Sequence, residues 1–251
     1  MEEAGKLVYF VSDVHLGRRD VDPAERQARF VSFLKGLKAD SVQALYLLGD
    51  IWDFWYEYRD VVPRVGGRVV AELVRLMDDG IEVWFCSGNH DIWTYSYFEE
   101  LGLRRFEQPY YVTLGGKDFC LGHGDLLGGA KRSYERMIKF YRSPVTQFFF
   151  SLLHPWLAYR IAMGSADRKR KGRSPYRFRG QEEPLYKFCE GVSGERHVDY
   201  FVFGHFHDAV DLTLPSGAKL YVLKDWMDGG MPCGVFNGSS FELRSGASPA
   251  E

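Results

Sequence analysis

The sequence predicts an α/β fold built around a parallel sheet. Three strand-like apolar runs alternate with helical runs, each strand run ends in polar residues, and the chain is long enough to bury a sizeable core. The 251 residues are 45% hydrophobic and 16% aromatic, with a formal net charge of −2. That composition excludes intrinsic disorder, which goes with few aromatics and high net charge. A spanning helix needs about 20 apolar residues, and the longest apolar stretch, Phe148 to Leu153, stops at His154-Pro155.

Lys6 to Ser12 reads as a buried strand running into Asp13. Asp22-Pro23-Ala24-Glu25 then opens a helix: Asp22 at the N-cap, Pro23 at the first helical position, and Glu25 placed to reach back as a capping box. Phe30, Phe33, Leu34 and Leu37 form its apolar face. Ala44 to Leu48 is the second strand and ends in Gly49-Asp50; a helix from about Val65 to Met77 follows. Ile81 to Cys86 is the third strand, ending in Ser87-Gly88-Asn89-His90-Asp91. In sheets wound this way, ligands bind at the carboxyl ends of the strands.

From Tyr110 the pattern becomes short strands. Tyr110 to Leu114 and Asp118 to Leu121 flank a turn at Gly115-Gly116-Lys117. Val198–Phe203, Leu212–Leu214, Lys219–Leu223, Gly234–Phe236 and Phe241–Leu243 complete the strand set. Between these parts lies a piece of different character, residues 126–196, which reads as an insertion into a core formed by residues 1–125 and 197–251. It places Tyr134, Met137, Ile138 and Tyr141 on one helical face, continues through Phe148, Phe149, Leu152, Leu153, Trp156 and Leu157, and carries the basic run Arg168-Lys169-Arg170-Lys171. The insertion holds 15 Lys and Arg against 6 Asp and Glu, a net of +9, which leaves −11 on the remainder. The aromatics suit either core packing or a pocket for apolar chains, and the basic run suits either a solvated face or an anionic surface. Cys86, Cys120, Cys189 and Cys233 occur singly, which predicts buried reduced thiols rather than disulfides or zinc ligands. The acidic start Met1-Glu2-Glu3 has no secretory-signal character.

Five segments put metal-ligand residue types just after predicted strands: Asp13-Val14-His15, Gly49-Asp50-Ile51-Trp52-Asp53, Gly88-Asn89-His90-Asp91, Gly122-His123-Gly124-Asp125 and Gly204-His205-Phe206-His207. They contain five of the seven histidines. Any one of them is commonplace; the ordered set is not. Through it, the chain resembles the calcineurin-like dinuclear metallophosphoesterases from about Lys6 to His207.

The resemblance implies a four-layer α/β/β/α sandwich, here with a helical lid insertion, and two divalent metal ions. Mn²⁺ is the expected metal, with Fe or Zn²⁺ also suited to oxygen and imidazole ligands. Asp50 would bridge the pair. Asp13, His15 and His207 would complete one metal, and Asn89, His123 and His205 the other. Paired metals lower the pKa of water and neutralise charge on phosphoryl oxygens. His90 would face the phosphate as a stabiliser or leaving-group acid. Asp91 would fix its tautomer, although Asp91 and Asp53 also suit turn and cap roles, and Asp125 would act only behind a ligand.

Within that family, the chain is similar to the UDP-2,3-diacylglucosamine hydrolases of lipid A synthesis. The likeness rests on Asp50-Ile51-Trp52-Asp53-Phe54-Trp55, the aromatic and basic insertion, and Arg160-Ile161-Ala162-Met163-Gly164-Ser165 within it. It implies an acylated UDP-sugar substrate, hydrolysis of its pyrophosphate, and a cytoplasmic protein peripheral on the anionic inner membrane, with no nucleic-acid partner. Asn89, Trp55, Ser165 and Arg168 are the expected substrate contacts, Trp55 being equally suited to core packing. One departure is His90, where the best-known members carry Arg. Another nucleotide diphosphate or phosphodiester substrate, or a non-catalytic scaffold of this fold, are the competing readings.

Overall fold

The computed structural model describes residues 6–20, 22–170 and 176–246, with the backbone alone for Lys169. Met1-Glu2-Glu3 and Lys171 lie outside the described residues.

Two mixed sheets lie face to face. The first has the order β11-β10-β1-β2-β3-β4, from Phe241–Arg244, Cys233–Phe236, Leu7–Val11, Val42–Leu48, Glu82–Cys86 and Arg104–Arg105. The second has the order β5-β6-β7-β9-β8, from Tyr110–Leu114, Lys117–Leu121, Tyr200–Phe203, Lys219–Val222 and Val210–Thr213. β1, β2, β3 and β4 run parallel, as the alternation with helices predicts, while β10 joins β1 antiparallel.

Period-two side chains explain the layering. Tyr9, Val11, Leu45, Leu47, Val83 and Phe85 point to α1 (Pro23–Gly36) and α2 (Gly67–Asp78). Val8, Phe10, Ala44, Tyr46, Leu48 and Cys86 point the other way and meet Phe119, Leu121 and Val202 of the second sheet. Rings of Phe10, Tyr46 and Trp84 stack across three adjacent strands at 5.2 and 5.6 Å. Behind the second sheet, Cys120, Phe201, Phe203, Leu220 and Val222 pack on α7 (Pro184–Glu195) through Leu185, Tyr186 and Cys189. The order is therefore α/β/β/α. All four cysteines are buried and unpaired.

Asp22 caps α1 as expected, accepting from the amides of Ala24 and Glu25 at 2.8 and 3.2 Å. The capping box does not close, because the Glu25 carboxylate pairs with Arg29 one turn on. The β5–β6 turn has Gly115 and Gly116 at φ 54° and 78°, the left-handed pair a tight hairpin needs. Two short elements, α3 (Tyr97–Glu100) and β4, were not expected from the sequence.

The stretch 126–196 is not uniform. Its last helix, α7, is the fourth layer of the sandwich. The outlying part is α4 (Arg132–Arg142), α5 (Pro144–Ser151) and α6 (Pro155–Arg170), broken where Pro144 and Pro155 start new helices. Phe150 and Tyr141 turn inward onto Trp93, at 4.6 and 5.7 Å between ring centres. Phe140, Phe148, Phe149, Leu152 and Trp156 turn outward and are 60–67% exposed. No helix of the described residues is long and apolar enough to cross a membrane.

Candidate metal centre

The five ligand-bearing segments meet in one place, at the carboxyl ends of β1, β2, β3, β6 and β7. Local backbone geometry shows what that costs. Asp13, His15, Asp50, His205 and His207 have φ between 49° and 71°, and they are the only non-glycine residues with positive φ among those described. Side chains of L-residues adopt this region rarely, and strain of this kind gathers at functional sites. Each kink aims a ligand-type side chain inward where the strand would otherwise continue.

All seven predicted ligands come together. Asp13 Oδ1 lies 3.6 Å from His15 Nε2 and 3.4 Å from His207 Nε2. Asp50 Oδ2 lies between two sides, 3.8 Å from His15 Nε2 and 3.4 Å from His123 Nε2. Asn89 Oδ1 is 3.3 Å from His123 Nε2, and the His205 ring stands edge-on to that of His123 with centres 5.1 Å apart. Asp13, Asp50 and His123 are each at most 1% exposed.

The donor set fits divalent cations. Asp13 Oδ1 is a buried carboxylate oxygen with no hydrogen-bond donor, which is unfavourable for a charged atom unless a cation meets it. The charges say the same. Burial alone would raise Asp13 and Asp50, but the neighbouring imidazoles outweigh it and hold both carboxyls well below the usual range. Burial would lower His15, yet the carboxylates of Asp13 and Asp53 beside it raise it to about 9. Burial lowers His205 to about 4, with His123 adding to the effect. Ring protons thus sit where the carboxylates demand positive charge, and cation binding exchanges for such protons.

Residues behind the candidate ligands orient them. His15 Nδ1 meets Asp53 Oδ1 at 3.0 Å, His123 Nδ1 meets the Leu48 carbonyl at 2.9 Å, and His207 Nδ1 meets Asp225 Oδ2 at 2.6 Å. In each, the second nitrogen is left to face the cluster. Asp225 was missed from the sequence; its one signal is a carboxylate just beyond the end of β9.

His90 is part-exposed at the mouth, its ring edge-on to His15. Its tautomer is fixed by Asp53, not Asp91: His90 Nδ1 donates to the Asp53 carbonyl at 2.9 Å. Asp91 is fully buried and spends its carboxylate on the amides of Gly88 (2.7 Å), Ile51 (2.8 Å), Asp50 (3.3 Å) and Trp52 (3.3 Å). It ties the second segment to the third. Burial and the charge of Asp50 push it up to about 7, against the pull of those amides. Asp125 likewise sits behind the site, accepting from Gln108 at 2.6 Å.

The expected substrate contacts fare differently. Trp55 is 1% exposed and packs on Trp52 and Phe98 in the first core, its indole N–H donating to Glu57, so it is not a surface contact. The aromatic that faces the outlying helices is its neighbour Phe54, against Phe150 and Tyr159. Ser165 is half-buried on α6. Arg168 is exposed and folds back to the Gly164 carbonyl on its own helix. The arginine that reaches the site is Arg170, forked onto Asp53.

Residues 6–209 match the calcineurin-like phosphoesterase family. A UDP-2,3-diacylglucosamine hydrolase from Porphyromonas gingivalis is 36% identical over 88% of this chain and 90% of its own length. One from Stenotrophomonas maltophilia is 31% identical over 88% of this chain and 91% of its own. The fold also matches the crystal structure of a dimetal phosphatase from Danio rerio, with TM-score 0.54 and 14% identity, covering 97% of this chain and 96% of that one. With a family match across most of its length and the ligand-type residues gathered at the strand ends, the chain belongs to the calcineurin-like phosphoesterase family.

Proposed function

We propose that this protein hydrolyses the pyrophosphate of UDP-2,3-diacylglucosamine, releasing UMP and the diacylated sugar 1-phosphate. The observation that carries the reading is the pairing of the ligand cluster with an outlying helical layer whose apolar side chains are exposed, in a chain 36% identical to a hydrolase of that name.

Asp50 would bridge two cations, with Asp13, His15 and His207 on one side and Asn89, His123 and His205 on the other. Divalent metals at such a site, Mn²⁺ by preference, supply Lewis acidity to a phosphoryl oxygen and lower the pKa of water. The chain's own residues do the rest. The Asn89 amide has N–H donors to offer a phosphate oxygen without adding negative charge where an anion must enter. His90, held at Nδ1 by the Asp53 carbonyl, turns Nε2 to the entering phosphate. Helix α6 forms one wall of a small apolar cleft, with Phe54, Tyr56 and Tyr58 facing Pro155, Ala158 and Tyr159. Each CH₂ of an acyl chain buried against these apolar side chains would stabilise binding by about 0.8 kcal/mol. The exposed aromatics and the basic charge beside them fit a peripheral position on an anionic membrane, the cytoplasmic face of the inner membrane in lipid A synthesis.

The test is UMP release from UDP-2,3-diacylglucosamine and from its unacylated counterpart, with Mn²⁺ and after chelation. The expected result is Mn²⁺-dependent turnover strongly favouring the acylated sugar. Equal turnover of both would assign the site to soluble nucleotide diphosphates. His90→Ala is expected to lower kcat by about 10² to 10⁴, with Mn²⁺ affinity kept.

A further inference from the structure

Arg170 is the last residue of α6, and both its terminal nitrogens reach Asp53, with Nη1 at 2.9 Å from Oδ2. Among the described residues this is the only ion pair joining the outlying helices to the two sheets. Other ties of those helices are Trp93 Nε1 to the Tyr141 carbonyl at 2.7 Å, Tyr56 Oη to the Gln147 carbonyl at 3.0 Å, and the Arg19 guanidinium over the Tyr159 ring at 5.8 Å. The pair is well shielded, with the Asp53 side chain 0% and that of Arg170 18% exposed.

Asp53 is the hub of this corner. The oxygen that meets His15 Nδ1 at 3.0 Å also receives Arg170 Nη2, and its carbonyl holds His90. A carboxylate that turns a ligating imidazole must itself be held, and a planar guanidinium forking onto both oxygens fixes its rotation. Arg170 has another partner within reach, Asp167 one turn back at 3.6 Å, so its seat on Asp53 is one of two open to it.

We propose that Arg170 is a positioning residue that couples the seating of α6 to the orientation of His15, so that metal loading and closure of the helical layer favour one another. The proposal rests on the metal-site reading above. Coupling of this kind is reciprocal: whatever factor Arg170 adds to metal affinity, bound metal adds to the seating of α6. Electrostatics alone predicts the opposite sign. A guanidinium close to a dication repels it, so a role confined to charge would make the Arg170→Gln protein bind metal more tightly.

The experiment titrates Mn²⁺ into the chelator-stripped full chain and follows proteolysis of residues 126–170 with and without Mn²⁺. Wild type is expected to bind Mn²⁺ and to be protected by it. Arg170→Gln and Arg170→Lys are expected to bind about tenfold more weakly and to show the same cleavage rate with and without Mn²⁺. Lys keeps the charge but loses the fork. Asp53→Asn, which keeps an acceptor for His15, should lose the Mn²⁺-dependence of cleavage too, whereas Asp167→Asn should behave as wild type. Equal or tighter Mn²⁺ binding by folded Arg170→Gln and Arg170→Lys, or protection by Mn²⁺ that survives in them, overturns the coupling. If wild type binds no Mn²⁺, the metal site itself is refuted, and the coupling with it.

Discussion

His207 Nδ1 and Asp225 Oδ2 meet at 2.6 Å, a contact that turns His207 Nε2 toward Asp13 Oδ1, 3.4 Å away. A carboxylate in this position holds the ring and raises the basicity of the free nitrogen. Asp225→Ala is therefore expected to weaken Mn²⁺ binding by about 10- to 100-fold, with a smaller loss of kcat at saturating metal. Titration of the chelator-stripped variant checks this; unchanged affinity would remove Asp225 from the site.

Glu57 ties the loop after β2 to the start of α3. Its Oε2 accepts from the amides of Tyr95 (2.7 Å), Ser96 (3.0 Å) and Tyr97 (3.3 Å), and its Oε1 from the Trp55 indole (3.2 Å). Removing it leaves the buried Trp55 indole and three part-buried amides without this partner. Glu57→Ala is expected to cost about 3 kcal/mol of stability, measured from urea unfolding midpoints, and Glu57→Gln less.

What could be read from the sequence, and what could not, follows from how each signal is carried. The strand-end segments announce themselves because sharp turns and ligand types coincide within two or three residues, as at Asp13-Val14-His15. Asp225 and Arg170 give no such signal. Each acts on a residue far away in the chain, His207 and Asp53, and only the packing of β9 and α6 brings the partners together. Trp55 was ambiguous for a related reason: Phe54 and Trp55 are adjacent, but successive side chains point to opposite sides, and the path of the 51–58 loop decides which one meets the helices. The outward face of α5 is legible only once Phe150, rather than Phe148 or Phe149, is seen to fill the inner side.

The thiols offer a test of the core. Burial pushes Cys120 and Cys233 up to about 12 and raises Cys86 and Cys189 further. A raised thiol pKa means that the reactive thiolate forms only as pH rises well beyond neutrality. The native protein is expected to resist alkylation at pH 8, with all four cysteines reacting in denaturant. Rapid labelling of any one in the native state would show that its layer opens.

Two glycines make room for the carboxylates of Asp50 and Asp13, both at positive φ. A Cβ on Gly88 would overlap the Asp50 carboxylate, and one on Gly204 would overlap Ser12 Oγ beside Asp13. Both neighbours are tied in place. Asp50 Oδ1 is tied to the His90 amide at 2.8 Å, and Ser12 Oγ to Asp13 Oδ2 at 2.6 Å. Gly88→Ala and Gly204→Ala must therefore displace a ligand carboxylate rather than a flexible side chain. Overpacking of this kind costs about 1–3 kcal/mol, which a chain of this size can absorb and still fold. The expected phenotype is a folded protein with Mn²⁺ affinity reduced at least tenfold. Calorimetric titration alongside circular dichroism separates that outcome from unfolding, and wild-type metal affinity in either variant would show that the two carboxylates are not held where the ligand cluster needs them.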